Sequence, residues 1–248
     1  MPVTASARSK IIAVTHGVLC HGLFAVAIAV MIYEMYFGLS RAWGRVPTPW
    51  NWIANGALLL QFPLGHSLLL TRRGRALLGG TLATTRYVIV ASVQVLLLYI
   101  AWSPSGTIWW QASGAAAIVL TMLYGAGWLL LLKSMFDAGI ELQTGSLGWR
   151  AMLRNRKPVF PPMPTRGLFR IVRQPIYVSF AITVWTVPRW TPDQLVLACV
   201  LTAYCVVGPL FKEARFSRRF GREFAVYKAA HPYWLPIPRW LSGRLSGS

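Results

Sequence analysis

Charge is scarce in this 248-residue chain: 12% of the residues are charged and only six are acidic, while 55% are hydrophobic. That balance excludes an ordinary soluble domain. Cysteine is nearly missing too, and Cys20, Cys199 and Cys205 fall inside apolar segments with no metal-like spacing. Neither a disulfide framework nor a zinc site is supported, and the three read as packing residues. The four histidines, His16, His21, His66 and His231, contain no i,i+4 pair, which argues against a helical di-histidine metal site. No internal repeat is visible. The first apolar run is about twice the length of a secretory h-region and lacks a small-residue cleavage site, so it reads as an anchor helix.

What the chain has is long apolar runs. Residues 11–37, 52–70, 87–102, 109–132 and 195–211 each approach the ~20 apolar helical residues that a ~30 Å hydrocarbon core requires. A shorter run, 175–187, reaches about 20 Å as a helix and is read either as a full crossing or as a dip that returns. The expected fold is therefore all-α: a polytopic membrane helical bundle with about six insertions, a C-terminal helical hairpin and an interfacial amphipathic helix. With the N-terminus in the cytoplasm, 22 lysines and arginines fall inside and only Arg41, Arg45 and Arg189 outside. That split is the positive-inside bias for an even number of insertions, with both termini cytoplasmic and the bacterial inner membrane as the expected location. The net charge of +19 is also a nucleic-acid signature, but these cations flank membrane segments, where anionic headgroups attract them. Membrane lipids are thus expected partners and nucleic acid is not.

The chain reads as a single domain, 1–248, in three parts: a four-helix portion (1–132), a cytoplasmic linker (133–174), and a hairpin with an amphipathic tail (175–238). In the linker, Ser146 to Arg154 forms a candidate interfacial helix, with Trp149, Met152 and Leu153 toward lipid. Pro158, Pro161, Pro162 and Pro164 then impose an extended path. Pro175 suits the first turn of a helix, where its missing N–H has no internal partner to lose. After the hairpin, Phe216, Phe220, Phe224 and Tyr227 recur at helical spacing opposite Arg215, Arg218, Arg219 and Arg222. This predicts an amphipathic helix on the inner leaflet, broken near Gly221 and ended before Pro232; an anchor without chemistry would show the same pattern. Glu34 is expected to snorkel to the far interface.

Several motifs occur in a fixed order. Arg173-Gln174-Pro175-Ile-Tyr177 precedes the hairpin, and Glu213 lies seven residues before Phe220-Gly221. Phe224, Tyr227 and Pro232 complete a tail of the form Phe-Gly-x-x-Phe-x-x-Tyr-x-x-x-x-Pro. Upstream stand Leu60-Gln61-Phe-Pro-Leu-Gly-His66-Ser67, Thr85-Arg86-Tyr87 and Phe136-Asp137. Together, over about residues 52–238, these resemble the superfamily of isoprenylcysteine carboxyl methyltransferases and phospholipid methyltransferases. The closer match is the bacterial branch containing methanethiol S-methyltransferases and NnrU-like proteins.

The resemblance implies methyl transfer from S-adenosylmethionine, bound at the cytoplasmic end of the hairpin, to a small thiol or another lipophilic acceptor. It implies cofactor-binding roles for Arg173, Gln174, Pro175, Tyr177, Glu213 and Tyr227. Arg173 would meet the cofactor's carboxylate and Glu213 its positive charge, while the two tyrosines would line the adenosyl group. His66, Asp137 and Glu213 are the catalytic candidates, and no metal is expected. His66 would serve as a base or polar wall, and Asp137 with Glu141 would order the loop or orient an arginine. Three departures bear on the acceptor: Gln174 stands where the branch has histidine, Lys212 where it has an acid, and Met135 where it has histidine. Gln174 cannot titrate, so a proton transfer assigned to that histidine moves elsewhere or is unnecessary. Two alternatives stay open: an NADPH-dependent reductase of the sterol reductase type, and a non-enzymatic membrane scaffold that keeps the fold.

Overall fold

The computed structural model describes residues 6–235. Residues 236–238 of the expected tail, including Pro236, lie outside the described residues. The helices are α1 (Ala7–Tyr36), α2 (Trp50–Leu69), α3 (Arg72–Leu78), α4 (Ala83–Ala101), α5 (Gly114–Asp137), α6 (Ile140–Gln143), α7 (Ser146–Leu153), α8 (Pro175–Trp185), α9 (Pro192–Phe220) and α10 (Arg222–Ala230). Two short strands, β1 (Trp110–Gln111) and β2 (Arg189–Trp190), pair antiparallel with Trp110 opposite Trp190. Four helices, α1, α4, α5 and α9, are long and apolar enough to cross a membrane. A fifth span is formed if α2 and α3, bent by 87° at their junction, count as one. This is an all-α membrane bundle, as the apolar runs predict.

Local signals set the boundaries. Ser6 caps α1 by accepting from the Ser9 N–H at 3.2 Å, and Thr71 caps α3 by accepting from Gly74 at 3.1 Å. The α3 cap starts a new helix only two residues after α2 ends, which fixes the bend. Thr191 caps α9 through the Gln194 N–H at 2.9 Å, with Pro192 in the first turn. Pro175 opens α8, as its fixed φ and absent N–H predict. The expected run at 109–132 begins later, at Gly114, because 109–112 joins the ribbon. Helix α5 continues to Asp137, past the expected part boundary at 132.

The short hairpin arm reaches the opposite end of the bundle. Its turn is bonded to the loops that follow α1 and α4: Trp109 N–H donates to Trp190, Ala112 N–H to Pro188, Arg189 to Ser40 Oγ, and Thr191 Oγ1 to Gly38. Helix α8 has only 11 residues, about 16 Å, and the extended stretch behind it completes the distance. Buried Asp193 locks this ribbon end, accepting from Trp102 Nε1 at 2.9 Å and from Ser105 N and Oγ at 3.0 and 2.5 Å. Beside it the main core packs Met35, Leu39, Trp102, Val184, Val187 and Leu197, all fully buried. Arg41, Arg45 and Arg189, the three cations expected outside, belong to these ribbon-end loops.

The structure corrects three expectations. Trp149 of α7 does not face lipid: it packs against Gly17 of α1, and its Nε1 donates to His21 Nε2 at 3.1 Å. Met152 and Leu153 are half-buried. Helix α7 therefore docks on α1 and α4, because an indole offered a hydrogen-bond acceptor and a glycine-lined slot is better satisfied inside than in headgroups. Replacing Trp149 with phenylalanine should remove that hydrogen bond and lower unfolding stability by about 1 kcal/mol, readable as a small drop in melting temperature. Glu34 does not snorkel but is buried at 5% exposure, since α1 ends in a tight turn that returns the chain over it. Finally, the amphipathic segment after the hairpin is no separate helix. Helix α9 runs unbroken from Pro192 to Phe220, and the first break is Gly221 at φ +52°, leaving α10 as the short remainder.

Candidate functional site

The end of the bundle opposite the ribbon carries a cavity of about 750 Å³ between α1, α2, α4, α8 and α9, covered by the proline-rich linker. Its walls are mostly apolar, and polar groups gather where α9 passes α2, α4 and α8. Four cations line it, Arg75, Lys212, Arg215 and Arg219, and no acidic residue does among those described. Lys212 Nζ sits 5.5 Å from the Tyr177 ring centroid, 5.7 Å from Phe216 and 5.9 Å from Phe169, the distances of cation–π contact. Arg215 lies within electrostatic range of His66, Tyr87, Tyr177 and Tyr204.

His66 and Tyr177 are the expected site residues that reach this cavity. His66 stands on α2 with its ring 4.9 Å from that of Tyr87, and its buried Nδ1 has no hydrogen-bond partner. A buried polar atom without a partner is uncommon in a folded protein and calls for a ligand or a function.

Arg173, Gln174 and Glu213 form a second cluster just behind the cavity wall. Arg173 Nε donates to Glu213 Oε1 at 2.9 Å and Gln174 Nε2 donates to the same oxygen at 2.8 Å. Lys228 lies 3.5 Å from Glu213 Oε2. Arg173 also donates to the carbonyls of Lys228 and His231 at 2.9 and 2.7 Å, and its backbone N–H bonds to Pro232. The guanidinium expected to meet a cofactor carboxylate is therefore engaged by protein, and Glu213 has both oxygens committed. Gln174, 1% exposed, keeps its Oε1 without a partner. The cluster ties the tail to the start of α8.

Tyr227 belongs to the same tie. Its hydroxyl donates to the Phe169 carbonyl at 2.7 Å, and burial pushes its phenol up to about 12, so it remains a neutral donor. Its ring packs with Phe224 and Met163, with Phe216 and Phe220 alongside. The aromatic stripe expected on the inner leaflet thus faces the linker instead, because the prolines hold Met163 within its reach. Asp137 stands apart at the end of α5, paired with Lys133 and accepting from the Leu168 N–H at 2.9 Å. Glu141 pairs with Arg150 at 2.6 Å. Asp137 thus ties α5 to the linker, and Glu141 holds an arginine of α7.

Lys212, Arg215 and Arg219 were assigned by sequence to a departure from the family pattern and to a headgroup-facing stripe. Their spacing groups them on one face of the helix. Positions 212, 215, 216, 219 and 220 follow i, i+3, i+4, i+7, i+8 on one helix and so share a face. Glu213, one residue on, is turned about 100° away, toward Arg173.

The comparisons place this architecture among known proteins. Methanethiol S-methyltransferase 1 of Bradyrhizobium diazoefficiens is 28% identical, with 96% of this chain and 86% of that protein covered. A methanethiol S-methyltransferase of Pseudomonas deceptionensis is 28% identical, covering 73% and 71%. Nurim of Sus scrofa is 28% identical, covering 64% of each chain. No family model matches the chain, and no solved structure matches it. The chain is thus a relative of proteins named methanethiol S-methyltransferase and nurim, consistent with the isoprenylcysteine and phospholipid methyltransferase-like branch that its motifs resemble.

Proposed function

We propose that this protein is an integral membrane methyltransferase that moves a methyl group from S-adenosylmethionine to a thiol or another lipophilic acceptor at the cytoplasmic membrane face. One observation carries the reading: an apolar cavity inside a membrane bundle, with basic side chains, tyrosines and an unpartnered histidine nitrogen at its polar end. The residues present fit the donor. Lys212 and Arg215 suit its carboxylate, the rings of Tyr177, Tyr87 and Tyr204 suit its adenosyl and sulfonium portions, and His66 Nδ1 is an orphaned polar atom beside them. When bound, S-adenosylmethionine supplies an activated methyl group on a positively charged sulfur.

The chain's own residues then have three tasks. The apolar walls exclude water and fix the reacting groups against one another, which is the main requirement when no covalent enzyme intermediate is needed. Lys212 and Arg215 favour the ionised form of an acidic acceptor and so lower the pKa of a thiol brought near them. The unpartnered ring nitrogen of His66 supports a role for it as a base or a polar wall beside the acceptor. The Arg173–Glu213–Lys228 cluster acts at one remove, holding α9 so that its cationic face meets α8.

Calorimetry on purified protein should show binding of S-adenosylmethionine or its demethylated product. Arg215→Ala should weaken that binding about 10- to 100-fold, the loss expected for a charge-assisted contact of ~1.5–3 kcal/mol. Absence of binding by the native protein overturns the reading and leaves a membrane scaffold, whereas selective binding of NADPH replaces it with a reductase.

A further inference from the structure

The ribbon end carries a recess of its own, about 670 Å³, walled by the loop after α1 from Ser40 to Val46, by Ser103 and Pro104 after α4, and by Tyr33. Hydrogen bonds within the protein fix that loop. Trp43 N–H donates to the Ile100 carbonyl at 3.2 Å, Gly44 N–H to Trp102 at 2.9 Å and Val46 N–H to Ser103 Oγ at 3.1 Å. Gly44 permits the close approach, because a Cβ there would stand 2.3 Å from the Ala101 carbonyl oxygen. Arg41 and Arg45 line the recess, and no acidic residue does among those described. Arg41 lies 3.8 Å from the centroid of the Phe37 ring and donates to the Tyr33 hydroxyl at 2.8 Å, while Arg45 Nη1 donates to the Gly44 carbonyl at 3.0 Å. Neither forms an ion pair among the described residues, and Glu34, within electrostatic range of Arg41, is buried beneath the surface. A guanidinium has five N–H donors, so both arginines are held in place with most of their donors left for another acceptor.

The surroundings indicate the depth of this recess in the membrane. Trp43, Trp50, Trp109 and Trp110, on the same loops and the first turn of α2, are all exposed. Exposed tryptophans gathered at one end of a membrane bundle mark the headgroup level, where an indole meets acyl chains and water together. We propose that the recess binds the phosphate of an anionic phospholipid in the leaflet at the ribbon end, with Arg41 and Arg45 as its donors. Arginine presents paired N–H groups that match two phosphate oxygens, and the membrane supplies that anion at this depth. A zwitterionic headgroup brings its own cation beside the two guanidiniums, so an anionic one is favoured. The loop joins the ends of α1 and α4, and an occupant that binds only the folded state stabilises the bundle. This site is separate from the cavity at the other end and does not rest on the methyltransferase reading.

The full chain in phosphatidylcholine nanodiscs doped with phosphatidylglycerol that bears a diazirine on its headgroup tests this. On illumination the probe should label the peptide of residues 33–46. Arg45→Gln, alone and combined with Arg41→Gln, should lower that labelling at least about tenfold, the loss expected for a charge-assisted contact, and Arg45→Lys should recover part of it. Labelling near Arg222 and Lys228 at the opposite end should stay constant and serves as the internal reference. Arg45 is exposed and bonds only to its own loop, so its replacement keeps the bundle folded, which thermal unfolding checks. Labelling confined to the opposite end, or labelling of 33–46 that survives both substitutions, overturns the proposal. Displacement of the label by inorganic phosphate as effective as that by unlabelled phosphatidylglycerol assigns the recess to a soluble anion and overturns the lipid assignment. None of these outcomes depends on whether the protein binds S-adenosylmethionine.

Discussion

Replacing Glu213 with leucine is expected to destabilise the protein by about 3–5 kcal/mol, the usual consequence of removing one partner from a buried ion pair. The side chains of Arg173 and Glu213 are 10% and 6% exposed, and Glu213 also serves Gln174 and Lys228. Without it, the guanidinium keeps two carbonyl acceptors but has no countercharge, and Gln174 loses the acceptor of its amide while already carrying an orphaned oxygen. The tail would then separate from α8. Limited proteolysis should cut after α9 in the variant at protease levels the native protein resists. Glu213→Gln separates position from charge: it restores an acceptor for Gln174 and should recover part of the protection. If Glu213→Leu keeps full stability and loses only affinity for S-adenosylmethionine, the carboxylate is a direct ligand and the clamp is secondary.

At the other end, Asp193→Ala should cost about 3–4 kcal/mol, measured as a fall in melting temperature or in denaturant midpoint. Its carboxylate accepts from the Trp102 indole and from both donors of Ser105, and hydrogen bonds to a charged acceptor are worth roughly 1.5–3 kcal/mol each, with a further cost when the donors are left buried. Trp102 is fully buried, so its N–H has no route to water. Asp193→Asn keeps one acceptor but turns an amide N–H toward existing donors, so it should fall between the two. The cavity lies toward the opposite end, and binding of the methyl donor by the surviving folded fraction should be unchanged. A variant as stable as the native protein would show that the ribbon end is held by packing alone.

Much of this architecture is legible in the sequence because membrane segments announce themselves by composition. Pro175 marks the start of α8 and Gly221 marks the end of α9. What escaped was direction. The arginines around Gly221 were read as one stripe on the inner leaflet, yet Arg215 and Arg219 line the cavity while Arg218 and Arg222 do not. A lipid-facing and a cavity-facing surface are equally apolar, so periodicity alone does not separate them. The same ambiguity misplaced Trp149, whose partner Gly17 is more than a hundred residues away. Arg173 and Glu213, each expected to meet the cofactor, instead meet one another, and sequence gives no account of which other groups they already satisfy.

The paired strands at the far end carry a consequence for biosynthesis. Gln111 and Arg189 are opposite one another, yet some eighty residues of chain separate them, so translation at ~5–20 residues per second leaves the first strand waiting on the order of 10 s for the second. Trp102 waits equally long for Asp193, and the Gly38 carbonyl longer still for Thr191. Until the last hairpin has been inserted, the earlier helices hold polar groups with no native partner at the ribbon end. Closure of that small ribbon is therefore a late event, in which polar groups made early in the chain find their partners together.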